Sequence, residues 1–105
     1  MAGALTLVGS NSRDTSGHAC TGSGGYSDIA EGASVTVYDA AGKARAIGSL
    51  QHSDRMSTGA CSFAITVPDV PDGEQIYQVE VTHRGKVSVT ADAAKAGLVS
   101  LQLGN

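Results

Sequence analysis

The chain has 105 residues with 7 basic and 10 acidic side chains, a net charge of −3, which is one domain's worth of sequence with no cationic block to release counterions from nucleic acid. Nucleic acid is therefore not an expected partner, and no run reaches the ~18 apolar residues of a membrane span, so insertion by this segment is not expected either. One Phe, three Tyr and no Trp leave a core to be built mainly from Val, Leu, Ile and Ala.

The N-terminus passes from Met1 straight into an alternating run at residues 4–8, where Leu5 and Leu7 flank Thr6, without the basic flank or cleavage site of a signal peptide. Residues 9–31 follow, rich in Gly, Ser and Asp and far longer than the roughly 4 to 6 residues usual in a connection; loops of that length are functional or disordered. Within them Ser27-Asp28-Ile29 can form a single helical turn anchored by Ile29. Residues 32–48 read as a hairpin: Val35 and Val37 alternate with Thr36 and Tyr38, Ala41-Gly42 turns the chain, and residues 44–50 return as a weaker strand. Residues 51–60 read as a loop. Phe63, Ile65 and Val67 mark the next strand, which stops at the two prolines of residues 68–73. Tyr77, Val79 and Val81, then Val87 and Val89, form two strands joined at Arg84-Gly85. Thr90 caps a short helical turn through Lys95, with Asp92 near its positive end, Lys95 near its negative end and Gly97 as the stop. Val99, Leu101 and Leu103 close the series. Seven short strands with one polar face each predict two antiparallel sheets packed face to face, an all-β, seven-stranded antiparallel β-sandwich with one short helical turn.

Cys20 and Cys61 match neither a metal knuckle nor a C-x-x-C pair, which leaves a structural disulfide or two separate buried thiols. The disulfide is the preferred reading; it would stabilise by up to about 4 kcal/mol through loop-closure entropy and implies an exported domain. It would also bring residues 17–20 beside residues 52–55, both expected on loops at one end of the sandwich. His18, Tyr26, Asp28, His52, Asp54 and Arg55 then form a polar rim suited to a protein or peptide partner. A zinc reading uses His18, Cys20, His52 and Cys61, the right ligand types at poor spacing. A calcium reading uses Asp14, Asp28 and Glu31, without EF-hand or repeat spacing. Neither is adopted, and no cofactor is expected. His83, Arg84 and Lys86 make a secondary basic hairpin tip. No catalytic residue is expected either: Gly22-Ser23-Gly24 lacks the G-x-S-x-G elbow, and Asp39, Asp69 and Asp72 sit on turns where they satisfy backbone donors.

The block GASVTVYDAAGKARAIG, CSFAITVPDVPDG and YQVEVTHRGKVSV resembles the carboxypeptidase-regulatory, prealbumin-like β-sandwich family over about half the chain. That resemblance implies an accessory, spacer or adhesive module. The wider pattern, with CTGSGGYSDI ahead of the hairpin and THRG after the fifth strand, is similar to C-terminal domains of unknown function in exported or membrane-anchored actinobacterial proteins. This second resemblance implies extracytoplasmic placement and paired cysteines. The Lys–Asn isopeptide bond of pilin-type relatives is not expected, because Asn11 and Asn105 lie outside the predicted strands and Lys43 and Lys86 are not inward. The chain therefore reads as a non-enzymatic accessory or interaction domain of a larger envelope protein, binding a protein or peptide through tethered loops. The alternatives are a spacer without ligand and a metal-stabilised domain, and exposed edge strands offer a route to self-association.

Overall fold

Val35 and Val37 point inward from β4 (Ser34–Tyr38) and are fully buried, while Thr36 and Tyr38 face out, the arrangement the alternation predicts. In the computed structural model, which describes residues 1–104, the other strands are β1 (Ala2–Val8), β2 (Ser12–Asp14), β3 (Cys20–Gly22), β5 (Ala44–Arg55), β6 (Cys61–Thr66), β7 (Ile76–Val81), β8 (Lys86–Thr90) and β9 (Val99–Gly104). All seven expected strands form. Their assembly differs from the expected pair of antiparallel sheets: they make one seven-stranded mixed sheet, ordered β8-β7-β4-β5-β6-β1-β9, that curls until it is nearly closed like a barrel.

The physical reason lies in β5. Residues 51–55, expected in a loop, continue this strand to twelve residues. Its first half pairs with β4 and its second half with β6, so the two walls of the expected sandwich are hydrogen-bonded through one bent strand. A register shift between Leu50 and Ser53 makes the bend, and extra residues of this kind increase local twist. Gly48 lies just before it, where an added Cβ would stand 2.1 Å from the Thr66 carbonyl oxygen, so the close approach of β5 to the end of β6 requires glycine.

The mixed character comes from the end of the chain. Thr90 caps α1 (Ala91–Lys95) by accepting a 3.1 Å hydrogen bond from the Ala93 N–H, and Gly97 ends the turn at φ 72°. α1 packs against β8 and β1 and carries the chain across the barrel, so β9 lands beside β1 and parallel to it. The opposite edge, β8, has no second neighbour among the described residues. Val87 faces the same side as buried Val79 opposite it, yet remains 48% exposed for lack of a covering strand.

Phe63, Leu5, Leu7, Leu50 and Ile65 fill the barrel, and Ile29 from the long connection joins them at 0% exposure. The expected turn at residues 27–29 is displaced: a single 3-10 turn occupies Gly24–Tyr26, and Ile29 anchors the segment after it. No helix among the described residues is long and apolar enough to cross a membrane.

Candidate functional site

Residues 9–31 form a strap built on the hairpin of β2 and β3, a second, two-stranded sheet. Gly17, at φ 58°, and the Ala19 N–H to Ser16 carbonyl bond turn the chain between them. Cys20 on β3 is bonded to Cys61 at the start of β6, with Cα atoms 6.0 Å apart and both side chains buried. A disulfide of this kind points to an oxidising compartment. Gly22, two residues on, donates its N–H to the Ile29 carbonyl at 2.7 Å, and an added Cβ there would stand 1.8 Å from the Tyr26 carbonyl oxygen.

Beneath the strap, Ser53 is an inward hydroxyl at 1% exposure, carried in by the register shift in β5. It is fully used. Its Oγ accepts from the Cys20 N–H at 3.1 Å and donates to Glu31 Oε2 at 2.5 Å, and the same carboxylate oxygen accepts the Ser53 N–H at 2.8 Å. These two bonds stabilise the carboxylate form, so the Ser53 hydroxyl, then its N–H, holds Glu31 below the usual range; His52 adds a weaker favourable field.

Of the six residues expected in one rim, three are divided between two clusters and three stand outside them. Arg55 belongs to the first, where Nε donates to Asp14 Oδ1 at 2.9 Å and Nη1 to Ser12 Oγ and the Gly59 carbonyl, each at 2.7 Å. The Arg55 N–H also donates to the His18 carbonyl at 2.8 Å. Tyr26 and Asp28 belong to the second, at the β7–β8 hairpin. Arg84 makes a bidentate ion pair with Asp28, donates to the Gly25 carbonyl, and lies 4.6 Å from the Tyr26 ring centroid. Thr82 adds a 2.6 Å hydrogen bond to Asp28. His18, His52 and Asp54 are exposed.

The expected basic tip is correspondingly smaller. Arg84 turns back onto Asp28, and Lys86 Nζ lies 4.1 Å from the Tyr38 ring centroid, while His83 and Lys86 remain exposed. Tyr38 donates to Glu80 at 2.9 Å, and this bond raises its phenol pKa. Asn11 donates its side-chain N–H to the Val8 carbonyl; Asn105 lies outside the described residues.

Asp28 carries a sharp pH prediction. Hydrogen bonds from Arg84 lead the effects that hold its carboxyl at about 2, against 3.8 when free. A folded-state pKa below the unfolded one contributes stability that is complete above the unfolded value and drains away as pH falls through the folded one. Thermal melts of Asp28→Asn should therefore fall below wild type at neutral pH, and the two curves should converge between about pH 4 and pH 2. Parallel curves across that window would show that the ion pair contributes nothing in solution.

Neither metal reading finds its ligands assembled. The sulfurs of Cys20 and Cys61 are bridged, so they offer zinc no thiolate, and no group of three His, Cys, Asp or Glu side chains among the described residues is placed to hold a metal. Asp14, Asp28 and Glu31 are engaged separately by Arg55, Arg84 and Ser53. At the far end of the barrel a hollow of about 210 Å³ is lined by Asp39, Arg45, Asp72, Glu74 and Tyr77. Several of its polar groups serve the fold: Asp39 accepts from the Ala41 and Lys43 N–H groups, Glu74 from Ala40, and Tyr77 donates to the Pro71 carbonyl.

Ser53 was not among the sequence-derived site residues; Glu31 entered only through the calcium reading, and Arg55 and Arg84 were named without the partners they take. The signal for the strap hairpin was present in the Thr15-Ser16-Gly17 turn; the signal for Arg84 to Asp28, a tertiary contact between distant segments, was not. No protein-family model, curated protein or solved structure matches this chain.

Proposed function

We propose that the domain is a non-enzymatic, extracytoplasmic interaction module that presents the strap and the adjoining outer face of β5 to a protein or peptide partner. One observation carries the reading: the strap is fixed at its Cys20, Arg55, Ser53 and Arg84 contacts, so a long Gly- and Ser-rich segment arrives at a partner already ordered. Ordering before binding removes an entropic cost that a mobile loop would incur on association. The exposed groups left free of the clamps described here, His18, His52 and Asp54, form the contact surface. The disulfide supports placement in an oxidising compartment, and the resemblance of residues 32–89 to accessory β-modules fits attachment to a larger envelope protein.

The test separates recognition from folding. In His52→Gln/Asp54→Lys, both side chains are exposed and no like charge is set beside Glu31, so the melting temperature should stay within about 2 °C of wild type, as surface substitutions usually do. Capture of a partner from an envelope fraction, identified by mass spectrometry against a bead control, should fall at least about ten-fold, the equivalent of roughly 1.4 kcal/mol. Unchanged capture at unchanged stability would sink the reading. A spacer role is the second reading, favoured because Arg55, Asp28 and Arg84 are spent on holding the chain to itself. Under it, rim substitutions leave the parent protein unaffected while Val37→Asp in the core disables it.

A further inference from the structure

Arg55 stands opposite Cys61 in the β5–β6 register, and Asp14 stands opposite Cys20 in the β2–β3 register. The 2.9 Å bond between Arg55 Nε and Asp14 Oδ1 therefore joins the same two strand pairs as the disulfide, one strand further out on each side. We propose that Arg55 is the positioning residue for the disulfide: its clamp holds the strap in register in the dithiol chain and favours bond formation.

The contact geometry extends beyond one ion pair. The guanidinium also reaches Ser12 and the Gly59 carbonyl, and the Arg55 N–H reaches the His18 carbonyl, so one residue ties β5, the β5–β6 turn, β2 and the approach to β3. None of these bonds requires the covalent link. Together they restrict the separation of the two thiols, which raises the effective concentration of each toward the other. Closure needs an oxidant, and a small-molecule disulfide such as oxidised glutathione supplies it. A cysteine thiolate attacks one sulfur of that disulfide and expels a glutathione thiolate. The second cysteine thiolate attacks the protein sulfur of the mixed disulfide and expels the other. Two cysteines lose two electrons, one glutathione disulfide becomes two thiols, and the two protons shed by the cysteines are taken up by the leaving thiolates. Cys20 and Cys61 are 1% and 0% exposed, so reversal in the folded chain first requires the strap to lift and the clamp to open.

The experiment equilibrates the full chain in glutathione buffers, traps free thiols by alkylation in acid-quenched samples, and reads the oxidised fraction by intact mass. Arg55→Ala and Asp14→Asn should each become half reduced at a ratio of squared reduced glutathione to oxidised glutathione about three- to ten-fold lower than wild type, the scale of one to a few exposed charge-assisted hydrogen bonds. High salt should shift wild type in the same direction and the Asp14→Asn variant much less, because the lost contact is a screened ion pair. Asp14 is exposed, so its variant tests the idea even where Arg55→Ala does not fold. Ratios within two-fold of wild type in both variants would overturn the proposal. A shift confined to Arg55→Ala and indifferent to salt would still support it, with the strap held through Ser12 on β2 and not through the Asp14 ion pair.

Discussion

Replacing both cysteines with alanine is expected to lower the melting temperature by about 10 to 25 °C, corresponding to roughly 2 to 4 kcal/mol in a domain of this size. The effect originates in the unfolded chain. Cys20 and Cys61 are 41 residues apart, and cross-linking a loop of that length removes denatured-state entropy worth about 4 kcal/mol in the chain-entropy model. The value is an upper one, because a denatured chain that retains residual structure has less loop entropy for the cross-link to remove. Wild type melted in excess reductant should match the double variant. A fall of less than about 3 °C in both would mean that the arginine clamps, and not the covalent link, carry the strap's contribution.

The seven strands were legible because every one of them buries a single face, and a buried face writes an alternation into the sequence. Val35 and Val37, Phe63 and Ile65, Val79 and Val81 all obey it. α1 was legible for a different reason: Thr90, Asp92, Lys95 and Gly97 act locally and need no tertiary partner. What the pattern did not carry was the continuation of β5 beyond Leu50. Gln51-His52-Ser53-Asp54-Arg55 has no apolar member, and it is a strand because β6 pairs with it; strand formation of that sort reflects neighbours more than intrinsic preference. With that segment taken for a loop, one curled sheet looked like two. The parallel placement of β9 beside β1 was hidden likewise, since alternation is the same in either direction.

The candidate site divides along the same line. The disulfide follows from two cysteines whose spacing suits little else, and the length of the strap marked it as a feature with a purpose. The partners of Asp28 and Arg55 follow only from three-dimensional proximity. Sequence reading placed Asp28 with Arg55 and left Arg84 at a separate tip; the fold puts Asp28 on Arg84 and Arg55 on Asp14. Asp28 and Arg55, expected in one polar rim, sit in two separate clamps. That changes which substitutions test binding: Asp28 and Arg55 now report on the strap's attachment, and His52 and Asp54 report on its surface.

The second large effect is expected at Phe63. It is the single phenylalanine of the chain and, with Tyr77, one of two buried aromatic rings, set at 0% exposure on the inner face of β6. Its register partners are Leu5 on β1 and Ser53 on β5, so it sits between the strand that bends the sheet and the strand that begins the parallel pair. Removing the ring takes away transfer free energy and leaves a void that the surrounding walls cannot readily close. Those walls are hydrogen-bonded strands of a nearly complete barrel, and they cannot move inward independently as loosely packed helices do. Phe63→Ala should accordingly cost about 3 to 5 kcal/mol, near the upper end for core truncations, whereas Phe63→Leu, which restores most of the volume, should cost about 1 to 1.5 kcal/mol. Urea unfolding followed by circular dichroism gives both numbers, with Val87→Ala as the comparison. Val87 faces the core side but is 48% exposed at the free edge of β8, so its truncation should cost well under about 1 kcal/mol. If Phe63→Ala cost no more than Val87→Ala, the ring would not be the centre of the packing, and the closed curvature of the sheet would have to be held by its backbone ladder and the disulfide alone.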